Sequence, residues 1–541
     1  MKTWLKSRTI LVLTLIFSLI FVAACSNKGS NGGSGSGSAG GNSSSSSSSS
    51  SGSSSASSGE GGSGAAGEIE RLVFAQSADT QAIEPYNGTS TNSATINFQM
   101  FNALTKTTPD GEVIGDLAES FEAIDDYTWQ FKLKQGVRFH NGEPFNAETV
   151  KFSVERMLNP EKNFGLAADF AFIKEVQIVD EYTVNIVTHE PSNGVPLRLI
   201  YLVMTPPQYI AEVGDEEFAK KPVGTGPFKF REYVKDDHVT LVRNDDYFGG
   251  PSKIKELVFR PIPEEASRIA ALEAGEVDLI TGLSVTQAKR LAENPDYVVE
   301  NFPTTRVVYI GFNMRSDTIV QSKEFRQALN YAVDVDSIIE NVLEGNGKRI
   351  ATIFLDHFQG YSDEIEPYPY DPEKAKELLA KSGYNNEPLT LVISTANGNL
   401  KEVVETVADQ LRKIGVNVTV MDKENALLRQ ELAAGEIDPL YLYAIGGPYN
   451  SAELISRIGF GTQQRYSTYW NAEMDDLRQR ASSTQDLAQS DALWKEYQEK
   501  IKEEAPAIFL FQQYSSLAYN AKLKNFVPRK DELILFDGVS R

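Results

Sequence analysis

One thiol and four imidazoles are all that this sequence offers to a soft or borderline metal ion: Cys25, His140, His189, His238 and His357. A lone cysteine has no disulfide partner within the chain, and these scattered side chains do not make the usual zinc, haem or iron–sulfur ligand sets. Surface or hydrogen-bonding roles are expected of the histidines, with no metal and no cofactor. Nucleophilic chemistry is equally unmarked, since no His-Glu-x-x-His, Gly-x-Ser-x-Gly or complete phosphate loop occurs. Gly224-Thr-Gly226 lacks a third glycine and runs into Pro227, so it reads as a tight structural turn rather than a dinucleotide cradle. Carboxylate pairs for hydrolysis are invisible to spacing arguments, which leaves a secreted hydrolase as an alternative.

The composition bounds what such residues can serve. The 541 residues carry 74 acidic against 52 basic side chains, a formal net charge of −22, with 41% apolar and 10% aromatic residues. That is ample core material for more than one domain or lobe. An acidic chain lacks the positive field that displaces phosphate counterions, so nucleic-acid binding is excluded.

The first 67 residues read as lying outside the fold. Lys2, Lys6 and Arg8 precede an apolar run, Ile10 to Ala24, that is shorter than the ~20 residues of a membrane-spanning helix. Basic region, short apolar region and small residues form an export signal over residues 1–24. Val22-Ala23-Ala24-Cys25 looks like a bacterial lipobox, which implies cleavage before Cys25 and lipidation of its thiol. An uncleaved anchor with Cys25 incidental is the alternative. Residues 25–67 then form a Ser/Gly-rich tether, including an unbroken serine run from Ser43 to Ser51. Such a segment cannot bury apolar area, and as a flexible coil it spans about 35 Å. A low-complexity insertion without a role fits the same residues. Only Glu60 offsets Lys2, Lys6, Arg8 and Lys28 here, so the acidic excess sits on the folded part.

That folded part reads as mixed α/β. Arg71–Gln76 is a strand candidate, and Tyr127, Trp129, Phe131 and Leu133 alternate with polar residues as in a half-buried strand. Asn146 is placed to cap a helix whose buried stripe is Val150, Val154, Met157 and Leu158, with Phe145 stapled onto Val150. Asp371-Pro372 starts another helix, with Ala375, Leu378 and Leu379 inward and Gly383 closing it. Strand Leu389–Ser394, a helix striped by Val403, Val404, Val407, Leu411 and Ile414, and strand Val416–Val420 predict a right-handed parallel crossover. Leu272–Ile280 and Leu432–Leu440 echo one another as helix-to-strand elements, used once in each of two α/β lobes unless the likeness is chance.

Several ordered blocks resemble one known family. Leu117–Glu122 with Tyr127–Arg156, Pro222–Phe228, Asn244–Phe248, Phe325–Asp334 and Tyr370–Leu379 are similar to the signature of the extracytoplasmic solute-binding proteins of peptide/nickel-type ABC importers. The resemblance runs from about residue 70 to the C-terminus. It implies a two-lobed α/β fold of the periplasmic-binding-protein (Venus flytrap) type. Lobe I, with an extra subdomain, takes residues 68–304 and 511–541; lobe II takes 305–510. The chain crosses near Phe302–Thr305 and returns near Ile508–Gln512. It further implies a monomeric binding protein rather than an enzyme, and with the lipobox at Cys25 a location on the outer face of the bacterial cell membrane, or in the periplasm. A small solute is captured between the lobes and delivered by hinge closure to a permease. A surface adhesin or a sensor feeding a signalling receptor would use the same parts.

The resemblance also nominates a site. Thr89, Ser90, Thr91 and Asn92 follow the first strand and face the cleft, offering hydroxyls and an amide. Asn397, Gly446, Gly447, Tyr449, Arg465, Tyr466 and Trp470 are the second-lobe candidates, combining close backbone approach, aromatic faces and an acceptor-binding guanidinium. Dipeptide-binding relatives hold the ligand's ammonium with an aspartate where Gly446 stands here, and their carboxylate-binding arginine falls near Ser394 or Thr395, where there is none. A zwitterionic dipeptide held in that way is disfavoured, because a desolvated charge needs its partner. A longer peptide held through its backbone, or an oligosaccharide, stays open.

Overall fold

Caps written into the sequence fix several helix ends. The Asn146 side chain accepts from Thr149 N at 3.2 Å while the Thr149 hydroxyl accepts from Asn146 N, closing the first turn of helix Ala147–Leu158. Val150, Val154 and Met157 are buried beneath it, and Leu158 is partly so. Asp371 caps helix Pro372–Lys381 through Lys374 N at 3.0 Å, with proline at the first position, where no N–H is needed. The computed structural model describes residues 67–88, 90–394, 400–446, 451–464 and 466–541. Cys25 and the serine-rich segment lie outside the described residues, as do Thr89, Asn397, Gly447, Tyr449 and Arg465.

An eleven-stranded sheet is the spine of the molecule. In spatial order its path runs Val418–Lys423, Leu389–Ser394, Leu440–Ile445, Tyr297–Phe312, Ala507–Asn520, Leu279–Thr281, Ile69–Gln76, Ile254–Pro261, His238–Arg243 and Phe228–Val234, with Gly347–Arg349 paired to Ala507–Asn520. Parallel pairs occupy both flanks: Leu389–Ser394 against Val418–Lys423, and Ile69–Gln76 against Ile254–Pro261. Helix Lys401–Lys413 buries Val403, Val404, Val407 and Leu411 between the first of these pairs. The second strand of that unit begins at Val418 rather than Val416, because the Val416 N–H turns back to Leu411 O at 3.1 Å and closes the helix. Likewise Tyr127 lies in a turn, its N–H bonded to Asp125 Oδ1, and the strand starts at Thr128.

The two echoing segments are the same motif. Gly275 N donates to Leu272 O and Glu276 N to Ala271 O; Gly435 N donates to Leu432 O and Glu436 N to Glu431 O. Both glycines are left-handed, at φ +72° and +74°, and each helix feeds a strand of the sheet.

Separate cores flank the two halves of the sheet. On one half, a large cluster joins Ile69, Phe74, Phe131, Val150, Phe259, Tyr519 and Phe536, and a smaller one covers the opposite face around Val258, Leu272 and Leu291. On the other half, Val308, Leu391, Val407 and Leu510 anchor one face, and Tyr309, Ile455, Trp494 and Phe509 the other. A four-stranded antiparallel sheet, ordered Ala118–Asp125, Thr128–Leu133, Thr183–Thr188 and Ile173–Asp180, adds to the first half and shares its large core.

Among the described residues, two strands run through both halves. Tyr297–Phe312 and Ala507–Asn520 pair antiparallel along their length, and the register breaks between Pro303 and Val307. Proline cannot donate to the ladder there. The freed groups find side chains instead: Thr304 Oγ1 donates to Gln513 O at 2.7 Å, and Gln512 Nε2 to Thr304 O at 2.7 Å.

The Gly224-Thr-Gly226 turn is structural. Gly226 N donates to Met100 O at 2.8 Å, and a Cβ on Gly224 would stand 2.1 Å from that same oxygen. His140 braces the turn from the other side, accepting from Gly224 N at Nδ1 (3.2 Å) and donating from Nε2 to Gly226 O (3.0 Å). Burial pushes its imidazole down to about 4, so the neutral ring is the native form.

Candidate functional site

A cleft of about 700 Å³ opens beside the register break, with walls from both halves of the molecule. On the first wall Ser90, Thr91 and Asn92 lie at the start of helix Thr91–Met100. Ser90 is its cap: the hydroxyl oxygen accepts from Ser93 N at 3.2 Å. Asn92 Nδ2 donates to Ala78 O at 3.1 Å, which fixes the loop that brings the chain here from the first strand. Gly165, Ala168 and Asp169 complete this wall.

A buried cation holds the two segments of that wall together. Arg156 donates to Glu84 Oε1 at 2.9 Å and to Asp215 Oδ1 at 3.0 Å, enclosed by the rings of Tyr86, Phe164 and Phe218 at 4.6 to 5.1 Å. Glu84 also accepts from Tyr86 N, and Leu166 N donates to Tyr86 O. Residues 84–87 and 164–166 are thereby one rigid lip. Burial raises the Glu84 carboxyl above its ordinary range and Arg156 opposes the rise.

Tyr443 and Tyr466 line the opposite wall, backed by the buried rings of Tyr309 and Phe460. Phe460, Tyr309, Tyr443 and Tyr466 follow one another at centroid distances of 5.3, 6.1 and 5.7 Å, and the Arg429 guanidinium lies 5.8 Å from the Tyr466 ring. Gly446 lies where this wall meets the crossing strand, and a Cβ there would stand 2.4 Å from Arg306 Cα and 2.6 Å from Thr305 O. No side chain fits at 446, so an ammonium-binding aspartate has no place in this backbone.

Charged side chains line the cleft or pair with its lining. Arg306 donates to Glu532 at 2.6 Å. Arg457 pairs with Glu453 at 3.0 Å, and Glu453 is shared with Arg478 at 3.5 Å, itself 3.4 Å from Asp475. Arg198 is held within the first half, stacked 3.5 Å above Phe172 and donating to Asp169 O at 3.1 Å. Burial lowers its guanidinium to about 10, with Arg457 adding repulsion and Glu453 and Asp169 opposing it.

Five of the residues singled out in the sequence therefore come together: Ser90, Thr91, Asn92, Gly446 and Tyr466. Trp470 does not join them. Its ring is half exposed and carries the Arg315 guanidinium at 4.6 Å, outside the lining. Asp169, Arg306, Arg429 and Arg457 escaped sequence reasoning because each reads locally as a solvated helix or strand charge. Only the sequence spacing Glu453…Arg457, an i,i+4 pair, marked one of them. Among the described residues no group of three His, Cys, Asp or Glu side chains is arranged to hold a metal ion.

Comparison with known proteins agrees with this geometry. The family model described as bacterial extracellular solute-binding proteins, family 5, matches residues 112–466. A glutathione-binding protein of Pectobacterium atrosepticum is 30% identical over 480 residues, 86% of this chain and 93% of its own length. A probable D,D-dipeptide-binding periplasmic protein of Escherichia coli is 28% identical, covering 88% and 95%. The solved ABC transporter-associated periplasmic binding protein of Helicobacter pylori, in complex with the peptide STSA, superposes with a TM-score of 0.77 at 26% identity, over 88% of this chain and 98% of that one. Two α/β lobes joined by a pair of crossing strands, with a lined cleft between them, are what this chain builds as one of the bacterial extracellular solute-binding proteins of family 5.

Proposed function

We propose that this protein is the lipid-anchored receptor of an ABC importer, capturing a peptide-like solute between its lobes and handing it to a membrane permease. The cleft carries the reading. At about 700 Å³ it has the size of a small-molecule site, and its walls come from the two halves that the crossing strands join, beside the register shifts at Pro303–Val307 and Val308–Tyr309. Residues 68–304 with 511–541 would then move as one lobe and 305–510 as the other, bending at Pro303–Val307. Peptide-like chemistry is supported by the glutathione-binding relative, by the peptide-bound neighbour, and by the polar lip of Ser90, Thr91 and Asn92 opposite tyrosine faces. Thr89, Asn397, Gly447, Tyr449 and Arg465 belong to the same proposed site by sequence position. Cys25 would carry the lipid and residues 26–67 would lift the lobes off the membrane.

The test is a thermal-shift and calorimetry panel of short peptides and neutral oligosaccharides on the purified protein, followed by mass spectrometry of the bound fraction. A peptide should stabilise the native state by about 2.7 kcal/mol at one hundred times its Kd and be recovered unchanged. Recovery of cleaved peptide would make the protein a hydrolase, and binding of oligosaccharides alone would overturn the peptide reading. Cys25→Ser should abolish metabolic labelling with palmitate and release the protein from the membrane; retention would rule out the lipid anchor.

A further inference from the structure

The cleft occupies one face of the large sheet, and a second groove lies between the two halves on the other. Helix Thr91–Met100 walls the cleft and packs on the large core through Ile96 and Met100, while Tyr443 and Ile445 wall it from the core around Tyr309. Behind the sheet, helix Val285–Ala292 adds Ala288 and Leu291 to the smaller cluster of the first half, and helix Val335–Asn341 adds Val335 and Ile338 to the Val308 core of the second. The groove there holds about 510 Å³ and is lined by Lys289 from the first half and by Asp336, Ile339, Glu340, Glu344 and Gly345 from the second.

Two contacts cross this groove from the turn Leu343–Asn346. Lys289 Nζ donates to Glu344 Oε2 at 2.6 Å, and Asn301 Nδ2 donates to Asn346 Oδ1 while Asn301 Oδ1 accepts from Ser516 Oγ at 3.2 Å. Gly345 N on Ile339 O and Asn346 N on Leu343 O, at 2.8 Å each, close the turn. Within it Glu344 is left-handed at φ +48°, next to Gly345 at +86°. A glutamate costs free energy in that conformation where a glycine would not, and the bonds around it hold it there. The turn leads into strand Gly347–Arg349, which pairs with Phe511–Gln513, whereas Leu279–Thr281 of the first half pairs with Leu517–Tyr519 on the same edge. That edge therefore passes from one half to the other beside the break between Pro303 and Val307.

We propose that the turn Leu343–Asn346 is a stop built into the hinge. Its contacts with Lys289 and Asn301 tie the halves together behind the crossing strands, so a rotation that narrows the cleft in front must pull them apart. They set how far the lobes close, and closure beyond that point draws on the free energy of binding. Among the described residues Lys289 is the one cation of the groove lining, facing three carboxylates, of which Asp336 is also held by Arg349 at 2.5 Å. The Lys289–Glu344 pair is largely exposed, so the stop weakens as salt rises. The inference rests on the reading of the cleft as a solute site that closes about Pro303–Val307, and adds a limit to that closure.

Small-angle scattering of the purified, ligand-free protein tests the stop, and calorimetry with Ala-Ala-Ala tests its consequence. Lys289→Glu places a fourth carboxylate in the groove on an exposed side chain, and should give a smaller radius of gyration than the parent. Raising the salt from 0.1 M to 1 M, which shortens the Debye length from ~10 Å to ~3 Å, should narrow that difference. Ala-Ala-Ala should bind Lys289→Glu at least ~3-fold more tightly than the parent at 0.1 M salt, the scale of an exposed ion pair. Glu344→Gln, which removes the charge and keeps the turn, should move both readings the same way by less. A radius equal to or larger than the parent's in both variants overturns the proposal whatever the affinity, as does a difference that salt leaves untouched. A smaller radius with absent or unimproved Ala-Ala-Ala binding leaves the stop standing and fails the peptide reading of the cleft.

Discussion

Asn193 Nδ2 donates to Ser490 Oγ at 3.0 Å, joining a loop beside the first core to a helix of the second. The same amide reaches Thr484 O at 2.9 Å and Ala481 O at 3.2 Å, and Asn193 N donates to Ser482 O at 2.9 Å. Gln479 adds a bond to Glu190 at 2.8 Å and Gln485 one to Ser192 O at 3.3 Å. The two halves are therefore clasped at a second place, away from the crossing strands, by hydrogen bonds of largely neutral groups.

Asn193→Ala removes the amide, whose two N–H groups are shared among Ser490 Oγ, Thr484 O and Ala481 O, and leaves those acceptors to water. At ~1 kcal/mol net per N–H, the clasped arrangement should lose about 2 kcal/mol, some 30-fold in ligand Kd if binding requires the clasp. Small-angle scattering of the ligand-free variant should show a larger radius of gyration than the parent. Unchanged scattering and affinity would show that the clasp does not bias closure.

Gly446→Ala tests the close approach at the crossing strand. The added carbon would overlap Arg306 Cα and Thr305 O, backbone atoms that cannot swing aside as a side-chain tip can. A loss of about 3 kcal/mol is expected in urea denaturation, together with loss of ligand binding. Gly142→Ala is the control: it too has positive φ, at +90°, but nothing within 4 Å, and should cost only the ~1 kcal/mol of the left-handed conformation. Equal costs for the two would show that the backbone at 446 yields.

His140 sets a pH dependence. In the folded protein the ring stays neutral down to about 4, whereas the unfolded chain takes up the proton near 6.5. Between those values the unfolded state binds more protons, so stability is full above pH 6.5 and falls as the pH drops towards 4, by up to about 3 kcal/mol. His140→Gln should flatten that limb of the stability curve. A parent curve with no loss over this range, or a variant as steep as the parent, would show that His140 is not its source.

What the sequence revealed and what it hid divides by range. The strand at Leu389–Ser394 and the helix capped by Asp371 were legible because alternation, caps and terminal glycines lie within a few residues of what they control. Val416 was misplaced by the same logic: as a β-branched residue it reads as strand, but the helix end claims its N–H. Ser90, Thr91 and Asn92 line the cleft, while Trp470 lies outside it beside Arg315. Arg429 and Asp169 had no local signal, since an isolated charge on a helix looks alike whether it faces water or a cleft.

Arg326 shows how a block that marks a family can be structural rather than ligand-binding. It lies within Phe325–Asp334, is 2% exposed, and spends its donors on four carbonyls: Nη1 on Val320 O and Gln321 O at 3.0 Å each, Nε on Ala505 O at 3.1 Å, and Nη2 on Glu504 O at 2.7 Å. Those last two carbonyls end helix Leu487–Glu504, where Ala505 turns left-handed at φ +47° just before the returning strand Ala507–Asn520. The guanidinium thus takes the place of a helix cap and sets the angle at which the chain re-enters the sheet. Arg326→Met fills the volume but strands four buried acceptors, at an expected cost of about 3 kcal/mol or more. Arg326→Lys, with a single nitrogen, should fall between Met and the parent. Because the contacts lie wholly beside the second core, hydrogen exchange should quicken around residues 320–335 and 500–512 and stay unchanged in strand Ile69–Gln76. Uniform quickening across both halves would mean that they unfold as one unit, and no quickening would mean that water replaces the guanidinium without cost.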